Sequence, residues 1–350
     1  MPGATLLLVV LIAQAPSDRP AGETRKHLQV LQSVPESQLF LAMNFVAQSL
    51  DVNCDYCHVR EGTTWVWERD DKPPKATARR MMKMVMDLNA ASFDGKVTVT
   101  CFTCHRGSTL VRSLPPLPPA DLANRPPPRP SLPDASTIVN RYLDAVGARA
   151  ADSLGAIVMR GTDERSQGRQ SAYEISMKGP DKVLVTRTSQ EQGTVAVAFD
   201  GAKAWSRTSA GTVELTPQQL SQFRSAAANF HPIKATAASA TMTVAGIERI
   251  GDRTAYVLVS GPGPAPAKQL FFDTESGLLV RTIATTTTPI VPLIDQIDYE
   301  DYRLVDGVRL PFLVRLSNVA HYDTSARRFT EIRTHVTLDD AIFNLAGPSK

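Results

Sequence analysis

The sequence predicts a two-part protein, with an all-α N-terminal module and a larger C-terminal α+β domain built on a mostly antiparallel sheet. Three observations predict this organisation. A proline-rich segment divides the chain, apolar residues recur at helical spacing before it, and short segments of alternating apolar and polar residues dominate after it. The length of 350 residues also allows two domains.

The composition is that of an ordinary folding chain. Apolar residues make up 43% and charged residues 21%, which disfavours global disorder and a polytopic membrane protein. The formal net charge of +3 is too small and too dispersed for a surface that follows a phosphate backbone. We therefore expect no nucleic-acid partner.

The N-terminus carries an apolar run over residues 6–13, followed by Gln14 and Ala15. The run is shorter than the ~20 residues that a spanning helix needs. It has the character of the apolar part of a secretory signal that ends at an Ala-x-Ala-like site. The sequence assigns residues 1–21 to a signal peptide or an uncleaved N-terminal anchor, and so predicts an exported protein of the periplasm or cell envelope, in solution or associated with the membrane.

A proline-rich spacer separates two chemically different halves. Nine of the twenty residues from Leu114 to Pro133 are proline, a composition that favours an extended, semi-rigid segment, and we assign the linker to 113–134. Before it, periodicity predicts helices over Gln38–Leu50 and Ala76–Leu88, each leading towards a pair of cysteines. Because the same order occurs twice, we infer an internal duplication with two similar sites.

After the spacer, the pattern predicts one helix over Thr137–Val146 and then a long series of short strands. Turn signals such as Asp200-Gly201 separate the strands. A further helix over Pro217–Phe230 is expected to pack across one face of the sheet. The strands with the clearest alternation are Ala172–Met177, Lys182–Thr188, Thr254–Ser260, Lys268–Phe272 and Leu278–Thr282.

All four cysteines of the chain lie in two motifs of identical spacing. The motifs are Cys54-Asp55-Tyr56-Cys57-His58 and Cys101-Phe102-Thr103-Cys104-His105. Two thiols about one helical turn apart can form thioethers with the two vinyl groups of one porphyrin, and the histidine on the same turn can bind the iron. We therefore predict two covalently attached haem c groups, with the cysteines as anchors and the histidines as iron ligands.

Three other interpretations of the cysteine pairs are a zinc site of four thiolates, a redox-active Cys-x-x-Cys motif and two structural disulfides. The histidines favour haem. Only six of the 350 residues are histidine, so a histidine directly after both pairs has a chance of about one in 3,000. Haem attachment needs an oxidising export compartment, which agrees with the apolar run at the N-terminus.

A methionine on the first predicted helix is the candidate for the second axial ligand of the first haem. Met43 lies eleven residues before Cys54, and the turn after Leu50 can fold this helix back over the distal haem face. A thioether ligand there would complete His/Met ligation and raise the reduction potential. Spacing alone does not separate this role from that of an ordinary core methionine.

The second predicted helix carries several methionines. Met81 precedes Leu88 by seven residues, as Met43 precedes Leu50, so the duplication points to Met81 as the distal ligand of the second haem. Met84 lies one turn further on the same helix face and is the fallback. A bis-histidine site that uses His27 is the alternative.

Residues 26–112 resemble the cytochrome c subunit of photosynthetic reaction centres. The likeness is carried by Met43 to His58, which includes Leu50-Asp51-Val52-Asn53, and by Ala78 to Gly107. The resemblance implies a helical electron-transfer module over 22–112, with Met43 above one haem. That family carries four haems and takes the distal histidine of its last haem from a part of the molecule that has no counterpart here, so a local ligand such as Met81 is expected.

The C-terminal part, 135–350, resembles the outer-membrane lipoprotein carrier and sorting (LolA-like) superfamily. Three segments carry the likeness: Phe199-Asp200-Gly201 with Trp205, Leu270 to Leu279, and Tyr299 to Gly307. The resemblance implies a strongly curved antiparallel sheet, a half-barrel, whose apolar concave face could hold an acyl chain or a partner segment. A scaffold that only positions the cytochrome at the envelope is the alternative.

Together these features predict an exported dihaem c-type cytochrome. It would transfer single electrons between redox partner proteins of a periplasmic or envelope chain, as a carrier rather than an enzyme, and we predict no catalytic residues. One alternative is a dihaem peroxidase-type enzyme, which needs an iron with an open or displaceable distal position. The other is an envelope protein that binds lipid or lipoprotein and uses haem as a sensor.

Overall fold

A computed structural model of the chain describes residues 19–111, 131–148, 150, 154–165, 168–179, 181–216, 219–220, 223, 241–261, 267–287, 291–318 and 323–344. The N-terminal apolar run, most of the proline-rich linker and most of the helix predicted over Pro217–Phe230 lie outside the described residues. No helix in the described ranges is long and apolar enough to cross a membrane.

The described part of the N-terminal region contains four α-helices. They are α1 (Ala21–Thr24), α2 (Glu36–Leu50), α3 (Pro73–Ser92) and α4 (Cys101–His105). The α2 helix ends at Asp51, whose left-handed backbone (φ 55°) turns the chain away from the helix axis. The α3 helix begins at Pro73, where a missing N–H costs no hydrogen bond. The helices predicted over Gln38–Leu50 and Ala76–Leu88 are therefore present, with slightly wider bounds.

The N-terminal region is not purely helical, so the prediction of an all-α module is only partly correct. Strands β1 (Val59–Glu61) and β2 (Thr64–Val66) form an antiparallel hairpin directly after the first cysteine motif. Gly62 adopts φ 60° in the turn, a conformation that glycine reaches without steric cost. Strands of three residues are too short for their alternation to be distinguished from chance in the sequence.

A small apolar cluster connects the N-terminal region to the C-terminal domain. Its buried members from the N-terminal region are Leu31, Val34, Ala42 and Phe45. Val291, which belongs to the C-terminal domain, is buried in the same cluster, and the neighbouring Leu293 packs against it. The two parts of the chain therefore share one contiguous set of apolar contacts.

The C-terminal domain is built on one antiparallel sheet that has thirteen strands within the described residues. The helix α5 (Ala135–Val146) packs on it. The strands are β3 (Ile157–Arg165), β4 (Arg169–Lys178), β5 (Lys182–Ser189), β6 (Gly193–Phe199), β7 (Ala204–Thr208), β8 (Gly211–Glu214), β9 (Met242–Ile250), β10 (Arg253–Ser260), β11 (Ala267–Asp273), β12 (Leu279–Thr287), β13 (Pro292–Val305), β14 (Val308–Asn318) and β15 (Asp323–Arg333). Their order across the sheet is β8-β7-β6-β5-β4-β3-β15-β14-β13-β12-β11-β10-β9.

This arrangement confirms the antiparallel sheet that the alternating segments predict, and each of the five strands named from the sequence is found. The sheet curls around one core. The α5 helix contacts both β14 and the edge strand β9, which lie five strands apart and would be separated by about 24 Å in a flat sheet. Tyr142 of α5 shares its buried cluster with Val197 of β6 and Met242 of β9. Strands from both ends of the sheet therefore enclose the same helix.

Gly161 of β3 lies where the pairing with β15 becomes irregular. The register between the two strands shifts between Phe329 and Glu331. A Cβ atom at position 161 would come within 1.9 Å of the carbonyl oxygen of Arg328 and 2.7 Å of the Cα of Phe329. Because both are backbone atoms, they cannot rotate away, and the bulge requires glycine at this position.

We predict that Gly161→Ala lowers the free energy of unfolding of the C-terminal domain by about 1–3 kcal/mol or more, because β3 and β15 must separate to admit the methyl group. Gly261→Ala is the matched control, since its Cβ would meet no atom within 4 Å. Urea denaturation followed by circular dichroism measures both variants. Equal midpoints for the two variants would contradict this account of the bulge.

Candidate functional site: the two cysteine motifs

The first motif forms a single tight turn after α2. Residues Cys54–Tyr56 form a 3-10 turn, and the backbone N–H groups of Cys57 and His58 both donate to the carbonyl oxygen of Cys54, at 3.3 and 2.9 Å. Two thiols and an imidazole are therefore held on one turn of backbone, as the motif predicts.

The second motif is the helix α4, which is fixed at both ends. Thr100 and Thr103 form a reciprocal capping box at its start. Just after its end, the backbone N–H of Gly107 donates to the carbonyl oxygen of Ser49 at 3.0 Å. Ser49 lies in the last turn of α2, so the second motif is attached to the helix that precedes the first motif.

Asn89 positions the segment that leads into the second motif. Its side chain is buried in α3, and its Oδ1 accepts hydrogen bonds from the backbone N–H groups of Thr98 (3.1 Å) and Val99 (2.9 Å). Its Nδ2 donates to the carbonyl oxygen of Val99 at 2.7 Å. One amide side chain thus satisfies three backbone groups of a loop that has no strand partner, and it ties this loop to α3.

The two histidines of the motifs differ in their hydrogen bonding. Nδ1 of His105 lies 2.9 Å from the carbonyl oxygen of Ser108, so a proton on Nδ1 leaves the Nε2 lone pair for a metal. Nδ1 of His58 is buried and has no hydrogen-bond partner among the described residues. Burial lowers the pKa of His58 and Lys75 lowers it further, while a hydrogen bond to the backbone of Trp67 opposes them. The neutral imidazole, which is the form that binds iron, is favoured.

The four cysteines are free thiols in the structure. Burial is the main cause of a raised pKa for both Cys57 and Cys101, so the thiol form is favoured there over the thiolate that a redox-active pair would need. In the part of the chain that is described, no three histidine, cysteine or acidic side chains are grouped as ligands of a bare metal ion. The donor set of each motif, two thiols and one imidazole on one turn, fits a porphyrin.

Large apolar side chains are exposed around the two motifs. Thirteen such side chains are exposed among the described residues, and nine of them lie within 19–111. The nine are Phe40, Tyr56, Trp67, Met81, Met84, Leu88, Phe102, Leu110 and Val111. Two of them belong to the motifs themselves, and four lie on the helices that precede the motifs. An apolar surface of this kind is complementary to an apolar planar group such as a porphyrin.

The methionines named from the sequence lie in different surroundings. Met43 is half-buried on α2 and packs against the apolar cluster that contains Phe45, as does Cys101 of the second motif. Met81 and Met84 are 41% and 49% exposed and lie one turn apart on α3, together with the exposed Leu88. Met81 as the distal ligand of the second haem, with Met84 as the fallback, stays a prediction.

His27, the alternative ligand, is exposed in a turn with φ 63°. This turn lies outside both cysteine motifs and outside α2 and α3. Met82 and Met86, on the other side of α3, pack against the same apolar cluster as Met43. Met82 and Met86 join α3 to the core. The sequence pattern does not distinguish them from Met81 and Met84, and only their tertiary contacts do.

Two tryptophans lie behind His58. The ring of Trp67 meets the His58 ring edge-on, with centroids 5.0 Å apart and an interplanar angle of 73°. Trp65 stacks on Trp67, with centroids also 5.0 Å apart. The hairpin β1–β2 and the residue that follows it therefore place two stacked aromatic rings against the imidazole of the first motif.

A buried lysine holds this aromatic layer in place. Lys75, in the first turn of α3, donates to the carbonyl oxygens of Trp67 (2.7 Å) and Arg69 (2.6 Å) and pairs with Asp70 at 2.9 Å. Asp70 also accepts from Arg79 at 2.7 Å, and these hydrogen bonds hold the pKa of Asp70 well below its usual range. The network attaches the loop behind the first motif to the helix before the second.

Sequence reasoning did not find Lys75, Asp70 or Asn89. A lysine in the first turn of a helix is unfavourable next to the positive end of the helix dipole, so its position was the available signal that it has specific partners. Asn89 gives no such signal, because its role depends on a loop ten residues further along the chain.

Residues 7–115 match one family model. The family is the photosynthetic reaction centre cytochrome C subunit. This cytochrome family is therefore what the N-terminal part of the chain is similar to, and the match covers both cysteine motifs, as the sequence resemblance predicted.

Two curated relatives match over the same region. A photosynthetic reaction center cytochrome c subunit from Thermochromatium tepidum is 33% identical over 92 residues, which is 25% of this chain and 22% of that protein. Cytochrome c-554 from Chloroflexus aurantiacus is 30% identical over 107 residues, which is 26% of this chain and 25% of that protein. The chain spans about a quarter of the length of these relatives.

Among solved structures, the chain is similar to a LolA superfamily protein from Nitrosomonas europaea, with a TM-score of 0.42 and 13% identity over 61% of this chain and 98% of that one. It is also similar to a DUF1329 family protein from Desulfovibrio piger, with a TM-score of 0.43 and 10% identity over 60% of this chain and 97% of that one.

We predict that Asn89→Ala lowers the free energy of unfolding of the N-terminal region by about 3 kcal/mol, because it leaves buried backbone groups without partners. Asn140→Ala, at an exposed position of α5, is the control and is expected to change stability by less than about 0.5 kcal/mol. Differential scanning calorimetry measures both. A shift no larger for Asn89→Ala than for the control would contradict the positioning role.

We predict that Lys75→Met frees the loop behind His58. Loss of its charge-assisted hydrogen bonds is expected to speed amide hydrogen exchange over residues 67–72 by about tenfold or more. Lys83→Met is the control, because Lys83 pairs with Asp87 on the exposed side of the same helix. Unchanged exchange in Lys75→Met, or the same acceleration in both variants, would contradict the network.

Proposed function

We propose that this protein is an exported c-type cytochrome with two covalently attached haem c groups, and that it passes single electrons between redox partner proteins of a periplasmic or envelope chain. The observation that carries the proposal is the repeated motif, in which two thiols and an imidazole lie on one turn in a region that matches a cytochrome family. The contact between Nδ1 of His105 and the carbonyl oxygen of Ser108 and the exposed apolar surface around both turns support it.

Each motif supplies one covalent site. Cys54 and Cys57 anchor one porphyrin through thioethers and Cys101 and Cys104 anchor the other, while His58 and His105 bind the two irons. When bound, haem supplies an iron that alternates between the ferrous and ferric states and so carries one electron. The carbonyl oxygen of Ser108 accepts from a protonated Nδ1 of His105, a tautomer that would leave the Nε2 lone pair for the iron.

The surrounding side chains would influence the reduction potential of each haem. Met43 would supply a thioether to the first haem, a soft ligand that favours the ferrous state and raises the potential. Exposed apolar side chains such as Phe40, Met81 and Leu88 would exclude water from a bound porphyrin, and a low-dielectric surrounding disfavours the additional charge of the ferric state. Met81, with Met84 as fallback, would supply the corresponding ligand to the second haem.

The test of the first ligand is spectroscopic and uses the full-length protein with haem attached. Met43→Ala is expected to remove about half of the red-region absorption that marks methionine-ligated ferric haem, because one of two such sites is lost. It is also expected to lower one of two reduction potentials. Met86→Ala is the control, since Met86 packs against the same cluster from α3. An unchanged spectrum and unchanged potentials in Met43→Ala would contradict the proposal.

The second ligand is tested in the same way. Met81→Ala is expected to remove the remaining red-region absorption, with Met84→Ala unchanged. The opposite result would assign the ligand to Met84, and no effect of either variant would direct the test to His27→Ala. Rapid turnover of hydrogen peroxide by the unmodified protein would contradict the carrier role and favour a peroxidase.

A further inference from the structure

One buried charge distinguishes the surroundings of the two cysteine motifs. Among the described residues 19–111, Lys75 is the one charged residue that is buried. It lies behind the first motif, because its ammonium group donates to the carbonyl oxygen of Trp67 at 2.7 Å and the Trp67 ring contacts the ring of His58. Arg106, which directly follows the second motif, is exposed. The described chain therefore places a buried cation beside the first motif and none beside the second.

The contacts of Lys75 are those of a charged ammonium group. An ammonium group has three N–H donors, and its site offers three acceptors. These are the carbonyl oxygens of Trp67 and Arg69, at 2.7 and 2.6 Å, and Oδ1 of Asp70 at 2.9 Å. Because a neutral amine has fewer donors than this site has acceptors, the contacts favour the protonated side chain.

The carboxylate that pairs with Lys75 does not cancel the positive charge. Asp70 pairs with Arg79 at 2.7 Å as well as with Lys75, so two cations share one anion. Hydrogen bonds from Arg79 and Lys75 hold the pKa of Asp70 well below its usual range, so this carboxylate is ionised at neutral pH. The Asp70 side chain is 42% exposed, against 9% for Lys75 and 17% for Arg79. Water screens the anion more than the cations, which leaves a net positive charge next to Trp67.

The other charged side chains around the first motif do not reverse this charge. Arg69 pairs with Asp71 at the surface, so these two charges largely compensate each other. Lys72 donates to the backbone carbonyl oxygen of Asp55, inside the motif, and adds a further positive charge. The remaining carboxylates are exposed and screened by water: Asp55, Glu61 and Glu68.

We propose that Lys75, together with Arg79 and Asp70, is a positioning residue whose buried charge raises the reduction potential of the haem on the first motif. The inference rests on the proposed function, because it concerns a haem attached at Cys54 and Cys57. It assigns to Lys75 a role beyond holding the loop of Trp67, since the charge itself and not only the hydrogen bonds affects the haem.

The physical reason is the difference in charge between the two oxidation states. A ferric haem carries one positive charge more than a ferrous haem, and a cation buried in a low-dielectric surrounding makes the additional charge less favourable. Lys75 would therefore favour the ferrous state of the first haem, while the second haem lacks a buried cation among the described residues. An electron shared between the two haems is shifted towards the first motif by this difference.

The test is a potentiometric titration, followed by absorbance, of the full-length protein with both haems attached. A variant in which Cys101 and Cys104 are both replaced by alanine retains the first haem alone, and its potential assigns one of the two transitions to the first motif. Lys75→Met is expected to change the ferric-to-ferrous ratio of that haem by about tenfold at a fixed potential. For a one-electron couple this is a lowering of about 59 mV. The second transition is expected to stay unchanged.

Three further variants separate the charge of Lys75 from its role in holding the loop. Lys83→Met is the matched control, because Lys83 lies on the same helix with its side chain 71% exposed, and neither transition should move. Arg79→Met removes a cation but leaves the hydrogen bond of Lys75 to Trp67, and it is expected to lower the first transition. Asp70→Asn removes the anion and is expected to raise the first transition, because both cations lose their counter-charge.

The opposite signs expected for Lys75→Met and Asp70→Asn give the sharpest distinction, because a loop that is merely loosened would shift the potential in the same direction in both variants. Shifts of the same sign would overturn the inference, as would an unchanged first transition or an equal shift of both transitions. If Lys75→Met carries no haem, the opposite signs expected for Arg79→Met and Asp70→Asn decide in the same way. A wild-type chain without covalent haem would overturn the proposed function as well, whereas two attached haems with unmoved potentials would overturn this inference alone.

Discussion

The proposed function of the N-terminal region depends on one geometric constraint: two thiols and an imidazole must lie on the same turn of backbone. The chain meets this constraint twice, and a helix precedes each Cys-x-x-Cys-His turn. The two copies are not independent, because the N–H of Gly107 in the second copy bonds to the carbonyl of Ser49 in the first. Cys101 also packs against the same apolar cluster as Met43. The two motifs are thus joined by a hydrogen bond and by shared apolar contacts, which under the proposed function would hold two haems at a fixed distance.

Specific interactions hold the loop that lies behind His58 of the first motif. Trp67 lies edge-on to His58, and the loop that carries it is held by Lys75, a lysine that is buried in the unfavourable first turn of a helix. The acceptors of Lys75 are backbone carbonyls together with Asp70, so its charge is compensated locally. The same helix supplies Asn89, which fixes the entry to the second motif. One helix therefore orders a loop on each side of it.

Much of this could be predicted from the sequence, and the exceptions have physical reasons. The spacing of cysteines and histidines identifies the two motifs. Strong periodicity predicts α2, α3 and the strands of the sheet, so local sequence pattern is sufficient to predict these elements. The hairpin β1–β2 is too short to have a period. Asn89 bonds to the backbone of Thr98 and Val99, which reach it only when the loop after α3 folds back. The match of residues 7–115 to a cytochrome family supports the interpretation of the two cysteine motifs that their spacing already indicated.

The measurement that tests the central claim most directly is the haem content of the exported protein, by pyridine haemochrome absorbance together with the mass of the intact denatured chain. The account predicts two covalently bound haems per chain, and one in a variant in which Cys101 and Cys104 are both replaced by alanine. A chain that carries no covalent haem when expressed with haem-attachment machinery, or whose four thiols all react with a thiol reagent after denaturation, would contradict it.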